Sequence, residues 1–235
     1  MFIVVKKKFI LGIFSALFAA VLIMLAVYPP KNISVDNLNP KTVVIDAGHG
    51  GMDGGSVGEG NIPEKNINLE IALKLEEIFK NNGYNVIMTR ETDVSLHEND
   101  NASVRNKNPA DLKKRAEIAN SSNASLFISV HANKYESPDI FGSQVFYSKN
   151  DERGKIIAES VMERLRELNP KNKRLAKPLP NPNLVFKNLK IPGILIECGF
   201  MSNPDDLKNL MDDTYRQKTA EAIYNGIINA EISPN

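Results

Sequence analysis

The segment VVIDAGHGGMDGG, residues 43–55, begins as a continuous apolar strand and ends in a glycine-rich loop that contains one histidine. A dinucleotide-binding fingerprint needs GxGxxG, but the position of the third glycine is Asp53. A Walker loop that starts at Gly50 requires a lysine where this chain has Ser56. Both phosphate-binding interpretations therefore fail. His49 follows the carboxyl end of the strand, either as a functional ligand or as a residue that only hydrogen-bonds the turn.

Strand and helix patterns alternate from Lys41 onward, and the first strand, 43–47, is apolar on both faces. Such strands are typical of parallel sheets that are covered by helices on each side. We predict an α/β fold with three layers, α/β/α, around a mainly parallel twisted sheet. Ligands of such folds bind beyond the carboxyl ends of the strands.

The individual elements follow from hydrophobic spacing and from proline and glycine positions. The predicted strands are residues 43–47, 84–89, 126–131, 143–147, 184–186 and 193–197. The predicted helices run from Pro63 to residue 82, over 109–122, 156–168 and 215–230, with another beginning at Pro204. The polar stretch 91–108 is predicted to be a surface loop beside a site.

Two residues can join His49 at the carboxyl edge of the predicted sheet. His131 directly follows an apolar run, so it should emerge at this edge unless it is a core histidine held by a backbone bond. Glu64 opens the first helix, where it is either a ligand or one half of a capping box with Asn61. Two histidines and one glutamate form the ligand set of a catalytic zinc, which keeps a fourth position open for water. We therefore predict a zinc site from His49, Glu64 and His131.

A fourth group, Glu197, ends the apolar strand 193–197. An ionised carboxylate is costly there unless it is paired, hydrogen-bonded or near a cation. It either forms a salt bridge, for example with Arg115, or acts as a general base and later as an acid. Cys198 should point to the opposite face of the strand, as a buried structural residue. His97, in the polar loop, is predicted to be solvated.

Composition excludes several functions for this 235-residue chain. The formal net charge of +1 supplies no field that would attract nucleic acid, so we predict no nucleic-acid partner. A single cysteine excludes an internal disulfide and a cysteine-based zinc site. Any bound metal must therefore use histidines and carboxylates.

The N-terminal segment differs in composition from the remainder of the chain. Residues 9–28 form an uncharged apolar run, preceded by three lysines, that is about as long as a bilayer-spanning helix. We predict a cytosolic tail at 1–8, a transmembrane anchor or uncleaved signal at 9–28, a linker at 29–40 and a catalytic domain at 41–235. A cleaved secretory signal is the alternative, although no clear cleavage site follows the run.

Five motifs resemble, in chain order, those of the zinc-dependent N-acetylmuramoyl-L-alanine amidases. They are DAGHGGxDxG at 46–55, Glu64-Lys65, LxxRxxxAN at 112–120, SVHAN at 129–133 and IExGFxSN at 196–203. The resemblance extends from about residue 41 to the C-terminus. It implies a fold like that of zinc-dependent exopeptidases and amidases, one zinc ion held by His49, Glu64 and His131, and a catalytic Glu197. It also implies cleavage of the amide between muramic acid and L-alanine in peptidoglycan.

Within this family, the short membrane-anchored build resembles the germination-specific members that act on spore cortex. Those enzymes remove stem peptides so that muramic-δ-lactam can form. The resemblance implies an extracytoplasmic enzyme at the cell wall or spore cortex, membrane-anchored or secreted, and the apolar run at 9–28 would supply the anchor. A regulatory or activating protein partner is common in the family.

The roles of two other motif residues are less defined by the sequence. Arg115 and Asn133 are candidates for binding substrate or supporting the site, and structural ion pairing is favoured for Arg115. Two other functions stay open at this point. One is a zinc peptidase that cuts within the stem peptide, and the other is a non-catalytic wall-binding protein.

Overall fold

The computed structural model describes residues 41–97 and 104–232, without the side chains of residues 104–108. The predicted cytosolic tail at 1–8, the membrane span at 9–28 and the linker at 29–40 lie outside the described residues. Among the helices that are described, none combines the length and the apolar composition needed to cross a bilayer.

The described ranges contain eight strands and six α-helices. The strands are β1 (Thr42–Ala47), β2 (Val57–Gly58), β3 (Ile62–Pro63), β4 (Asn85–Met88), β5 (Leu126–Asn133), β6 (Gln144–Tyr147), β7 (Lys177–Pro178) and β8 (Gly193–Phe200). The helices are α1 (Glu64–Asn81), α2 (Val104–Ser121), α3 (Glu152–Leu168), α4 (Leu184–Asn188), α5 (Pro204–Met211) and α6 (Asp213–Ile232). Strands β2 and β3 form a small antiparallel hairpin.

The main sheet has six strands in the order β4-β1-β5-β8-β6-β7. Its first four strands run parallel, whereas β6 is antiparallel to β8 and β7 is parallel to β6. The predicted mainly parallel α/β fold is confirmed. The carboxyl ends of β1, β5 and β8 lie at one border of the sheet, which we call the carboxyl edge.

The two faces of the sheet carry different cores because strand side chains alternate. On β1, Val43 and Ile45 belong to the larger core, which also contains residues of α1, α3 and α6. Val44 points the other way, into a smaller core with residues of α2 and α4. By the same alternation, Asp46 and Glu197 lie on the smaller-core face of their strands.

Helix α1 is fixed against the sheet by a regularly spaced apolar face. Ile67, Ile71 and Leu75 recur every four residues and are at most 2% exposed. This spacing places one stripe of the helix on the sheet. Glu64, the first residue of α1, is thereby held at the carboxyl edge.

Three predicted elements differ from the structure. Residues 184–186, predicted as a strand, begin the helix α4, because the Asn183 side chain accepts a hydrogen bond from the backbone N–H of Phe186 and caps the turn. Helix α2 begins at Val104 within the predicted loop 91–108, and Pro109 lies inside it. Strands β5 and β8 are longer than predicted, because Asn133 and Phe200 resume the pairing after a register shift.

Candidate metal centre and catalytic site

The site is built at the carboxyl edge by three neighbouring parallel strands. His49 lies in the loop that follows β1, and His131 lies near the end of β5. His131 is paired in register with Glu197 of β8. The backbone N–H of Gly48 donates a 3.0 Å hydrogen bond to the Val130 carbonyl, which joins the His49 loop to β5.

His49 has an unusual backbone conformation and two acidic neighbours. Its φ of 62° lies in the left-handed region, which few non-glycine residues adopt. Its Nδ1 lies 2.8 Å from Oδ2 of Asp53, and its Nε2 lies 3.2 Å from Oε1 of Glu64. The imidazole is thus held from one side by Asp53 and faces Glu64 with the other nitrogen.

The carboxylate of Glu64 connects the two histidines. Its Oε1 lies 3.0 Å from Nδ1 of His131, and it also accepts a 3.2 Å hydrogen bond from the backbone N–H of Ala132. Oε2 accepts a 2.9 Å bond from the backbone N–H of Ser56. Glu64 is only 3% exposed, and its own backbone N–H donates a 2.8 Å hydrogen bond to the Ser56 carbonyl instead of to the Asn61 side chain. The capping-box interpretation of Glu64 is therefore wrong.

Ligand atoms of three side chains converge tightly enough to hold one metal ion. One atom each from His49, Glu64 and His131 lies within 4.8 Å of the others. The two imidazole rings are 5.0 Å apart between centroids and nearly perpendicular, at 81°. Gly48 permits this approach, since a Cβ there would lie 2.3 Å from Cε1 of His131.

In the cluster, hydrogen bonds and opposite charges together outweigh the effect of burial on the pKa values of Glu64 and His49. Burial alone would raise the pKa of Glu64, but His131 and His49 bring it well below its ordinary value. Burial alone would lower the pKa of His49, whereas Asp53 and Glu64 raise it to about 10. Because a histidine ligand must be neutral, a metal ion would have to displace a proton from His49.

Glu197 differs from Glu64 in having no bonding partner for one oxygen. Its Oε2 is buried and accepts no hydrogen bond from any residue that the structure describes. Burial raises the pKa of Glu197 to about 7, and the charge of Glu64 adds to the increase, while His131 and His49 oppose it. A carboxyl group in this state can exchange a proton near neutral pH.

Arg115 is buried beneath the site. Its side chain is 2% exposed, and it forms ion pairs with Asp46 and with Asp111, the latter at 2.7 Å. Its Nη2 donates a 2.7 Å hydrogen bond to the carbonyl of His49. The structure thus shows the ion pairing that was favoured for Arg115, with Asp46 and Asp111 as the partners instead of Glu197.

Arg90 is a second buried arginine that holds the His49 loop. It is 3% exposed and donates hydrogen bonds of 2.9 and 3.0 Å to the carbonyls of Ala47 and Gly48. Together with Arg115, it binds three consecutive carbonyls before and at His49. These contacts explain how the loop keeps its strained backbone at His49.

The other predicted residues have different outcomes. Asn133 accepts hydrogen bonds from Lys134 and Met201 at the end of β5, and its part in the site stays a prediction. Cys198 is 1% exposed in the larger core, opposite Glu197, and burial raises its thiol pKa, so the buried assignment is confirmed. The prediction of a solvated His97 is wrong, because its side chain is 7% exposed.

Several residues that shape the site have no role in the predictions from the sequence. Asp53 orients His49, and Asn68 donates a 3.1 Å hydrogen bond to Glu64. Asp46 accepts bonds from Thr89 and Ser129 in addition to its pair with Arg115. A carboxylate inside the apolar strand β1 is the one sequence signal that could have identified Asp46, since a buried charge requires partners.

The fold and the site together define an α/β enzyme whose two histidines and one glutamate could hold a metal ion, with a separate buried carboxylate on the neighbouring strand. Residues 43–229 match the family described as N-acetylmuramoyl-L-alanine amidase, Amidase_3. The chain belongs to this family, and it is an amidase that acts on peptidoglycan.

Individual relatives agree with this assignment. The chain is 36% identical over 191 residues to the germination-specific N-acetylmuramoyl-L-alanine amidase of Bacillus subtilis, covering 81% of this chain and 80% of that protein. It is similar to the CwlD amidase of Clostridioides difficile, solved in complex with the GerS lipoprotein, with a TM-score of 0.78 and 42% identity over 81% of this chain and 98% of that one. The catalytic domain of the amidase CwlV from Bacillus (Paenibacillus) polymyxa is similar at a TM-score of 0.69 and 30% identity, over 80% and 97% of the two chains.

Proposed function

We propose that this amidase depends on zinc and hydrolyses the amide between the lactyl group of muramic acid and L-alanine. The observation that supports the metal most directly is the convergence of His49, Glu64 and His131 within 4.8 Å. Two imidazoles and one carboxylate are a known ligand set of catalytic zinc. The donor set fits zinc better than magnesium or calcium, which prefer oxygen ligands.

The proposed ligands would come from three separate segments of the fold. His49 would be oriented by Asp53, since a carboxylate on the second ring nitrogen is the usual partner of a ligating histidine. Glu64 is deprotonated and buried, as a metal-binding carboxylate must be. When bound, zinc supplies a Lewis acid that polarises the amide carbonyl and makes water more acidic.

Glu197 is the proposed general base and acid. It takes a proton from the attacking water and later delivers a proton to the nitrogen of the departing alanine. Two features support this role: its buried Oε2 has no protein partner among the described residues, and its pKa is raised to about 7. The register also supports this role, because Glu197 is paired with His131 and register partners on adjacent strands share one face of the sheet.

We also propose a role in the spore cortex, where removal of stem peptides precedes formation of muramic-δ-lactam and germination. The proposal is supported by similarity to the germination-specific amidase of Bacillus subtilis over most of both chains. The enzyme would then act outside the cytoplasm, held at the membrane through residues 9–28. Because the similar CwlD amidase was solved with the GerS lipoprotein, we propose that this chain also binds a regulatory protein.

The decisive experiment combines product analysis with metal analysis. Mass spectrometry of digested peptidoglycan should show intact stem peptides that begin with L-alanine, and release of fragments cut within the stem would contradict the proposal. Zinc should be present at about one ion per chain in the purified protein and absent from the His49→Ala variant. Retention of zinc in that variant would contradict the proposed ligand set.

A further inference from the structure

One segment of the chain is strongly cationic although the protein as a whole is nearly neutral. Residues 169–190 contain six lysines or arginines and no aspartate or glutamate, whereas the formal charge of the whole chain is +1. The cations are Lys171, Lys173, Arg174, Lys177, Lys187 and Lys190. The segment includes β7, which forms the border of the sheet beyond β6.

The lysines nearest the carboxyl edge are available to a ligand. Lys171 and Lys173 are exposed, and neither forms an ion pair with the part of the chain that the structure describes. By contrast, Lys65, Lys74 and Lys80 each pair with a carboxylate. Edge strands often carry charged residues and proline, which prevent pairing with another chain, and this explains Lys177 in β7. It does not explain the lysines that precede the strand.

Arg174 is the ordered member of this group. Its guanidinium lies 5.0 Å from the centroid of the Phe200 ring, at the end of β8, and its Nε donates a 3.3 Å bond to the Phe141 carbonyl. Its two Nη atoms make no hydrogen bond to any described residue. The carboxylate that feels its charge, Asp206, is already bound to the backbone N–H groups of Gly142 and Phe200.

The sheet register places Leu175, the residue that follows Arg174, level with the proposed catalytic carboxylate. Glu197 of β8 pairs with Gln144 of β6, whose Nε2 donates a 2.8 Å hydrogen bond to the carbonyl of Leu175. Leu175 is therefore about two strand spacings, or ~10 Å, across the sheet from Glu197. An extended peptide covers ~10 Å in about three residues.

We propose that Lys171, Lys173 and Arg174 form a subsite that binds the carboxylates of the stem peptide being released. The proposal rests on the proposed function, because it takes the scissile amide to lie beside Glu197. A stem peptide leaving that point reaches the cations within its first few residues. Guanidinium and ammonium groups form charge-assisted hydrogen bonds with carboxylates, and Arg174 offers two unused nitrogens in a fixed plane.

The test compares two substrates with the full-length chain. One is a disaccharide muropeptide whose stem carboxylates are free, and the other is the same muropeptide with those carboxylates converted to methylamides. In the Lys171→Glu/Lys173→Glu variant, kcat/KM for the free-carboxylate substrate should fall about tenfold. The value for the methylamide substrate should change less than about twofold, since no charge contact is lost there.

A matched control lies in the same segment but near the start of β8, at the end of the sheet opposite the carboxyl edge. Lys187 and Lys190 are both exposed, and the backbone N–H of Lys190 is bound by Asn120 at the end of α2. The variant Lys187→Glu/Lys190→Glu has the same change in net charge and should cleave both substrates like the wild type. Circular dichroism and zinc content should be unchanged in both variants, since all four side chains are at the surface.

Two results would overturn the subsite. The first is an equal loss on both substrates, and the second is no loss on either. Failure of the proposed function has a different signature, because the wild type would then release stem peptides from neither muropeptide. In that event the subsite is judged by calorimetric binding of the two muropeptides, and equal affinity of the wild type for both would reject it.

Discussion

His131 of β5 and Glu197 of β8 are register partners in the central sheet, so one proposed metal ligand and the proposed base lie side by side. Parallel strands place consecutive carboxyl ends at one border, and alternation gives both side chains the same face. The pair belongs to adjacent parallel strands that are far apart in the sequence. Sheet order therefore assembles the site.

Replacement of Glu197 by glutamine should abolish proton transfer while preserving shape. We expect the rate of stem-peptide release to fall by about 10²- to 10⁴-fold, the usual contribution of a positioned general base. Zinc content should stay at the wild-type level, because Glu197 is not one of the three clustered ligands. Release is measured by mass spectrometry of digested peptidoglycan, and zinc by elemental analysis.

The matched control for this variant is Glu76→Gln. Glu76 is also buried, at 8% exposure, but it pairs with Lys80 near the other end of α1. Its substitution should leave the rate within about twofold of the wild type. Activity of Glu197→Gln comparable to that of the control would remove Glu197 from the mechanism.

Asp53 should determine how tightly His49 holds a metal ion. Its Oδ2 lies 2.8 Å from Nδ1 of His49, which leaves Nε2 facing Glu64. In Asp53→Asn, the neutral amide is a weaker acceptor, and we expect zinc affinity to fall about 10- to 100-fold. Competition with a fluorescent chelator measures the dissociation constant without any assay of activity.

Asp93→Asn serves as the comparison for this measurement. Asp93 accepts a hydrogen bond from the backbone N–H of Gly51 and pairs with Lys65, so it holds the same loop without contact to a proposed ligand. Its substitution should change the zinc dissociation constant much less than that of Asp53. Equal effects would mean that the loop backbone, and not the Asp53–His49 bond, controls metal affinity.

Gly48 should be intolerant of any side chain. A Cβ at this position would lie 2.3 to 2.7 Å from three atoms of the His131 ring, closer than real Cβ contacts allow. Gly48→Ala should therefore displace His131 and remove bound zinc. Gly54, in the same loop, is the control. The nearest atom to a Cβ added there is 3.8 Å away, on Pro63, so Gly54→Ala should retain zinc.

The two glycine variants are best compared by zinc content and by thermal unfolding with a chelator present. The chelator separates loss of the metal from loss of the fold. If Gly48→Ala bound zinc as tightly as Gly54→Ala, His131 could not be held in the position that the structure shows.

Much of the central sheet could be predicted from the sequence because its strands have apolar residues on both faces. The strand at 43–47 is followed by a glycine-rich loop, and Glu197 and His131 each end an apolar run, which locates them at the carboxyl edge. These signals are local, since they need only the strand direction and the rule that parallel strands end together.

The remainder depended on tertiary contacts that have no local pattern. His97 lies in a polar stretch, yet its side chain is buried near Asp111, a residue of α2. The helix α4 was predicted as a strand because Leu184 and its neighbours are apolar over a length that suits either element. The bonds from Arg90 to the His49 loop join residues more than 40 positions apart, so sequence spacing does not reveal them.

Asp46 is a buried carboxylate that holds together the residues beneath the site. It is 2% exposed and accepts hydrogen bonds from Arg115, Ser129 and Thr89. Burial alone would raise its pKa, but Arg115, His131 and the two hydroxyl groups bring the pKa below its ordinary value. Removal of one partner from a buried ion pair is typically destabilising by about 3–5 kcal/mol. We expect Asp46→Asn to lose about that free energy of unfolding at pH 7.

The loss should depend on pH in a defined direction. Because the folded-state pKa of Asp46 is depressed, the unfolded chain takes up a proton first as the pH falls below about 4. The stabilisation by Asp46 is therefore complete above the unfolded-state pKa and declines as the pH approaches the folded-state value. Urea unfolding of the metal-free protein between pH 7 and pH 3 should show the wild type and Asp46→Asn converging at the acidic end. The control is Asp139→Asn, at an exposed position, whose difference in free energy of unfolding from the wild type should not vary over this pH range. If the difference for Asp46→Asn were equally constant, Asp46 would act through its shape and not through its charge.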